Sequence, residues 1–324
     1  MTVRLGVIGA GTHGARYLRH AARDVPGLRP VALCRRDEAA GRALAAELDC
    51  RYERDPAALI AAADVDAVLV CTPPSSHFAL ASAVREAGKA LLLEKPMTGT
   101  LAEARRLAEI DERAAGPQLI VAQTLRWNPV IRRARELWPQ LGEVRHVRLA
   151  QRLEPTDLGW QRDPAVTVGG SVLLTGVHLF DTVRHVTGRE FAEIDARQER
   201  FLNPAVEDFY LARARLDDGT YVSLEVSKFG RTRACLLEAV GTEGQLLADY
   251  QFGGIRLIRG REVLDVEADA SAPTLPEVLK CLRDTACGDA VSPVTVREGV
   301  RTMELVEASY RSNMCQAAVA IKAG

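Results

Sequence analysis

GVIGAGTHGARYL, residues 6–18, decides how the first third of the chain is read. Gly9, Gly11 and Gly14 stand in G-x-G-x-x-G spacing. Alone, that spacing in a chain of 25 glycines marks only a turn and a helix start. The context carries more. VRLGVIG before the turn reads as a strand, and Thr12 to Ala22 after it reads as a helix. Such a strand–turn–helix lets bare backbone approach a pyrophosphate at a helix N-terminus. Gly9, Gly11, Thr12, His13 and Gly14 are therefore candidate dinucleotide ligands.

Working outward, the apolar runs RPVALCRR, DAVLVCTPP, KALLLEKP and QLIVAQ alternate with helical patterns at 38–48, 76–87 and 100–115. Asp55-Pro56 reads as a cap followed by proline in a first helical turn, and Thr100 with Glu103 as a capping box. Near-continuous apolar strands alternating with helices predict a parallel sheet covered on both faces. After about residue 123 the texture changes. Asn128-Pro129 opens one more helix, and GEVRHVRLAQRL and FAEIDARQERF read as strands. ARARLDDGTYVSLEV and LEAVGTEGQLLA read as hairpins turning at 217–219 and 243–244. Helices at 275–288 and 297–316 follow. The expected fold is α/β: a Rossmann doubly wound parallel sheet over 1–123, then an α+β domain over 124–324 with an open, mostly antiparallel sheet.

Lys and Arg number 42 against 43 Asp and Glu, so a net charge of −1 gives no electrostatic case for nucleic acid or an acidic membrane. Seven scattered cysteines without a C-x-x-C pair argue against a disulfide framework and a zinc site, and suit a reducing cytosol. No window approaches the roughly 18 apolar residues of a membrane span. MTVRLGVIGAG has no charged-then-apolar leader. The expectation is a soluble, cytoplasmic protein without a metal.

The end of the second strand distinguishes the two nicotinamide dinucleotides. A carboxylate there bonds a ribose 2′-hydroxyl, whereas a cation meets a 2′-phosphate. The chain has Cys34, Arg35 and Arg36, with Asp37 one or two residues too late. Arginine's planar fork suits a phosphate, which favours NADP(H) over NAD(H). The plainer alternative makes both arginines exposed loop charges.

In an open parallel sheet, ligands lie beyond the carboxyl ends of the strands. LVCTPPSSH (69–77) and LLLEKP (91–96) end there, bringing Thr72, Pro73, Glu94 and Lys95 to the cofactor's edge. A lysine there can hold a carbonyl oxygen or take part in proton transfer. Paired with Glu94 it would be structural only. Pro96 stops the strand, and a cis bond would fix its shape.

GVIGAGTHG, VCTPPSSH, EAGKALLLEKP, GEVRHV, VGGSVLLTGVHLFD and GTEGQL together resemble the Gfo/Idh/MocA oxidoreductases, in order and nearly end to end. The resemblance implies a C-terminal sheet serving oligomerisation, as a homodimer or homotetramer. It also implies that Lys95 is an active-site residue and that His77 lies near the cofactor. The family's second catalytic stretch runs G-G-G-x-x-x-D-x-G-x-H-x-x-D. VGGSVLLTGVHLFD (168–181) keeps Gly170, Gly176, His178 and Asp181 in register. Val168 replaces the first glycine, and Leu174 stands at the expected aspartate.

His178 is implied as the acid/base, its pKa being near neutrality. Thr175 and Asp181, three residues before and after it, are helical neighbours able to substitute for the missing carboxylate. The plainer readings are a packed histidine and a surface aspartate. LRWNP and LGWQRDP resemble the family's R-x-N-P and W-R-x-D segments. They offer Arg126, Trp127, Asn128, Trp160 and Arg162 for sugar binding. Core packing for the indoles and surface for the arginines is the alternative.

The expected activity is NADP(H)-dependent interconversion of a secondary alcohol and a carbonyl on a sugar, cyclitol or related polyol, with Lys95 and His178 handling the oxygen and the proton. A rival of another class is a non-catalytic NAD(P)-binding sensor of the same fold. Leu174 favours the sensor, and retention of both Lys95 and His178 opposes it.

Overall fold

The structure is a computed structural model that describes residues 2–322. Six parallel strands form the first sheet: β1 (Val3–Ile8), β2 (Leu28–Cys34), β3 (Arg51–Glu53), β4 (Ala67–Val70), β5 (Ala90–Leu93) and β6 (Leu119–Val121). Their order is β3-β2-β1-β4-β5-β6. The winding reverses between β1 and β4, and that switch point is where α/β sheets open a crevice for ligands. Leu91, Leu92 and Leu93 are fully buried. Each such side chain contributes roughly 1.5–3 kcal/mol of burial, which explains a greasy strand covered on both faces. β3 has no apolar run, and the sequence gives no sign of it.

The connecting helices are α1 (Thr12–Arg23), α2 (Glu38–Glu47), α3 (Pro56–Ala61), α4 (His77–Glu86) and α5 (Leu101–Arg113). The Asp55 carboxylate accepts from Ala57 N at the start of α3, and both arms of the Thr100–Glu103 capping box form. A buried ion pair joins α4 to α5: Arg85 Nε donates to Asp111 Oδ1, which also accepts from Leu119 N of β6 at 3.1 Å.

The later elements are α6 (Pro129–Leu137), β7 (Val144–Arg152), α7 (Pro164–Thr167), α8 (Val177–Thr187), β8 (Phe191–Glu199), β9 (Phe209–Leu216), β10 (Tyr221–Ser227) and β11 (Ala234–Gly241). There follow β12 (Gln245–Asp249), β13 (Ile255–Arg259), β14 (Glu262–Val266), α9 (Leu275–Cys287), α10 (Val296–Cys315) and β15 (Val319–Ala320). Nine strands form a second sheet in the order β14-β13-β12-β11-β7-β10-β9-β8-β15. It is antiparallel except where β7 and β10 run parallel. Inward residues alternate with outward ones along β9. Cross-strand ion pairs such as Arg152–Glu225 and Arg148–Glu238 occupy the polar positions.

Two expectations need correction. The chain does not divide at a single boundary after 123. One compact unit comprises 1–124 with 273–301, and the other 125–272 with 302–324. The physical reason is that α9 packs on α1 and on β1, β2, β4 and β5, while Val294 O accepts from Val121 N of β6. Also, one run, Pro164–Thr187, is long and apolar enough to cross a membrane by length and composition. Its most apolar window is 83% buried inside the protein, as in the core helix of a globular unit.

Asp111→Ala would strand the Arg85 guanidinium, of which only 1% is exposed. It is expected to destabilise the protein by about 3–5 kcal/mol, read as a lower urea midpoint.

Candidate active site

At the head of α1 the three motif glycines have different duties. Gly9 has φ +93°, and a Cβ there would collide with the Cys71 carbonyl. A Cβ on Gly14 would collide with the Gly9 carbonyl. Gly11 meets no other atom within 4 Å of an added Cβ, so the turn opens onto free space. Gly11 is also the cap residue of α1, and no side chain caps the first turn. The N–H groups around Thr12 and His13 are thus presented to an anion by a positive helix end. The glycine turn fits the pyrophosphate of a dinucleotide.

Beyond β2, the half-buried Arg35 sends Nη1 toward the Ala10 carbonyl of the same turn, 3.4 Å away. Tyr52 Oη donates to Arg35 O at 3.0 Å and steadies the strand end. Arg36 is exposed. Asp37 Oδ1 accepts from Ala40 N at 3.1 Å and caps α2, while its Oδ2 lies 3.8 Å from Arg35 Nη2.

Glu94 sits at the end of β5, only 5% exposed. Its Oε1 accepts from Tyr17 Oη at 2.7 Å and from His13 Nε2 at 3.0 Å, while Oε2 accepts from the Lys95 backbone N–H at 3.0 Å. An ionised carboxylate only accepts, so His13 carries its hydrogen on Nε2. Burial opposes the charge. The hydrogen bond and charge of His13, the Lys95 ammonium and the Tyr17 hydroxyl outweigh it, and the Glu94 pKa falls from 4.5 to about 2. Burial, with the Glu94 charge adding to it, pushes the Tyr17 phenol well above its usual range.

Lys95 follows, half-buried and joined to Pro96 by a cis peptide. Desolvation draws its ammonium pKa below the ordinary lysine value, against the opposing pull of Glu94 and Cys71. A lysine so placed holds an oxygen or exchanges a proton more readily than a surface one.

Thr72 and Pro73 lie just beyond β4, where Thr72 Oγ1 accepts from Ser76 Oγ at 2.8 Å. His77 is completely buried, with Nδ1 2.7 Å from Pro96 O and Nε2 2.7 Å from Thr72 O. Burial lowers its pKa, against the pull of the two carbonyls. Direct cofactor contact by His77 or Glu94 does not fit this arrangement. Both are sealed in and committed to protein groups, so they brace the strand ends.

In the second unit, Arg126 makes a bidentate pair with Asp181 of α8: Nε to Oδ2 at 2.8 Å and Nη2 to Oδ1 at 2.6 Å. Both side chains are buried. Asp181 is therefore neither a surface charge nor a free proton acceptor; it holds Arg126. Asn128 corrects another expectation. Its Oδ1 accepts from Val130 N and Ile131 N to cap α6, and its Nδ2 donates to Tyr250 O. That leaves it buried as a helix cap rather than a sugar ligand. Trp127 and Trp160 are half-buried, and Arg162 is exposed with Nη2 3.3 Å from Thr156 O.

His178 lies in the first turn of α8, directly after a π-helical stretch, Val172–Gly176, that contains buried Leu174 and Thr175. Wide turns of this type occur often at functional sites. Val168 has φ +66°. That left-handed conformation suits the glycine it replaces and disfavours a β-branched residue.

An oxidoreductase family with an NAD-binding Rossmann fold matches residues 3–122, and the Gfo/Idh/MocA C-terminal domain matches 131–247. The chain belongs to the Gfo/Idh/MocA oxidoreductase family. Inositol 2-dehydrogenase 1 of Saccharopolyspora erythraea is 44% identical over 39% of this chain and 38% of its own length. Inositol 2-dehydrogenase 2 of Paenarthrobacter aurescens is 28% identical over 96% of each. Among solved structures, an oxidoreductase domain protein from Kribbella flavida superposes with a TM-score of 0.90 at 27% identity, over the full length of both chains.

Tyr17 was not foreseen. Its signal was present in the sequence: in THGARY it lies four residues after His13, on the same helix face. The link to Glu94 is long-range and has no local signature.

Because the folded pKa of Glu94 lies below its ordinary 4.5, it contributes stability above that pH and loses it as pH falls toward about 2. Glu94→Gln is expected to flatten the stability–pH curve in that window, measured by urea unfolding at stepped pH. Equal slopes for the two proteins would contradict the ionised, bonded Glu94.

Proposed function

We propose that the protein interconverts a secondary alcohol and a carbonyl on a sugar, cyclitol or related polyol, with NADP(H) as its hydride partner. One observation carries this reading. The Glu94 carboxylate bonds both the Lys95 peptide and the helix that opens at Gly11, so a desolvated lysine is fixed relative to an open anion-binding turn. The inositol 2-dehydrogenase names of the relatives support a polyol substrate.

When bound, the nicotinamide supplies hydride transfer at C4. Gly9, Gly11, Thr12, His13 and Gly14 would receive the pyrophosphate, with Thr72 and Pro73 beside it. Arg35, and Arg36 beyond it, would meet a 2′-phosphate, with Asp37 capping α2 beside Arg35. Lys95 holds the substrate oxygen and His178 exchanges its proton. Asp181 serves by fixing Arg126, which with Trp127, Trp160, Arg162 and Thr175 contributes to substrate binding. The free cysteines fit a reducing cytoplasm. The open second sheet suits pairing into a homodimer or homotetramer.

Leu174 favours a second reading, a nucleotide sensor without turnover. Absorbance of the reduced nicotinamide separates the two when NADP⁺ or NAD⁺ is offered with inositols, sugars and sugar phosphates. Turnover that disappears in Lys95→Ala supports the dehydrogenase, and tight NADPH binding without turnover supports the sensor.

Arg35→Asp is expected to weaken NADPH binding by about 10–100-fold, the range of a charge-assisted phosphate contact, and NADH binding far less. Equal losses would remove the NADP(H) preference. His178→Ala is expected to lower kcat by about 100-fold or more while leaving NADPH affinity unchanged. Full activity in that variant would exclude His178 from the chemistry.

A further inference from the structure

The helix that carries His178 begins without a capping side chain of its own at Ser171. Its first N–H groups are satisfied from Glu207, two residues before β9. Glu207 Oε1 accepts from Gly170 N at 3.0 Å and from Val172 N at 3.2 Å, and the Glu207 carbonyl accepts from Ser171 N at 2.8 Å. One residue thus receives three successive backbone donors. Tyr310 Oη of α10 donates to the same Oε1 at 2.9 Å. Burial, and then the Glu207 charge, push the Tyr310 phenol well above its usual range.

The glycines of VGGS fit this arrangement. A Cβ on Gly170 would collide with the Glu207 backbone, and one on Gly169 with the Tyr310 hydroxyl. They form a seat for Glu207. The next residue extends the support: Asp208 accepts from Phe201 N, Leu202 N and Asn203 N at 2.6–2.8 Å. Asn203 Nδ2 lies 3.5 Å from Gln161 O, between Trp160 and Arg162.

We infer that Glu207 is a positioning residue for the reaction: it fixes the start of the helix bearing His178, with Tyr310 holding its carboxylate in place. A buried anion at a helix N-terminus is favourable in itself. Here its bonds also set the axial position and rotation of that helix, because the following π stretch and α8 continue from the three residues it grips. An error of about 1 Å at a reacting group costs on the order of 100-fold in rate. This role in catalysis rests on His178 being the proton-exchanging group.

Glu207→Ala, Glu207→Gln and His178→Ala in the full-length protein test it by two readouts. The first is amide hydrogen exchange over residues 169–180. The second is kcat and KM for myo-inositol with NADP⁺, beside NADPH affinity. Glu207→Ala should speed exchange at 170–172 by at least about tenfold. It should lower kcat by about 10–100-fold, with KM and NADPH affinity nearly unchanged. Glu207→Gln, which keeps an acceptor oxygen, should restore most of both. Unchanged exchange in Glu207→Ala overturns the proposal, whatever the activity. So does altered exchange with undiminished kcat while His178→Ala is inactive, and so does Gln failing to rescue in a protein that melts like wild type. If neither myo-inositol nor the other inositols, sugars and sugar phosphates are turned over, or His178→Ala is fully active, the functional reading fails on its own. The exchange data then still decide whether Glu207 fixes the helix.

Discussion

A charged carboxylate inside a protein is costly unless every lone pair facing the interior finds a donor. Glu94 meets that condition with donors from two places: Tyr17 and His13 on α1, and the peptide of Lys95 just beyond β5. The first two hold the helix whose head opens at the glycine turn, and the third holds the residue assigned to the substrate oxygen. Removing any donor leaves a buried charge short of a partner, so the pieces are constrained together. His77 braces the same region through the carbonyls of Thr72 and Pro96. The greasy LLL run before Glu94 supplies the rigid base that such precision requires.

Much of the fold was legible in the sequence because it is local. Apolar runs, the Thr100–Glu103 box and the Asp55-Pro56 start each announce themselves within a few residues, and the structure has all three. Features that depend on distant partners were not legible. The return of 273–301 to the first unit rests on α9 packing and on the Val121–Val294 bond, across more than 170 residues. Asn128 and Asp181 illustrate the same limit within the site. Their residue types allow sugar binding or proton transfer, and only the observed bonds assign them to a helix cap and an ion pair. The apolar stretch 164–187 passes a membrane test because a helix buried on all sides and one facing lipid have similar compositions.

The departures from the family pattern concentrate in VGGSVLLT. Val168 adopts a backbone conformation made for glycine, and Leu174 brings a hydrocarbon where the motif it resembles has an aspartate. Such local misfits persist where surrounding contacts over-determine the structure. The contacts available here are the bonds from Glu207 to the three residues after Gly169.

The chain path also dictates an order of events during synthesis. The dinucleotide-binding unit begins with β1, yet 273–301 belongs to it, after the whole run 125–272 of the other unit. A growing chain therefore exposes the surface that α9 covers until the ribosome has passed that point. At about 5–20 residues per second, the roughly 150 intervening residues leave it uncovered for on the order of ten seconds. The unit that emerges first is completed late, and its nascent form is the stage most open to chaperones and to aggregation.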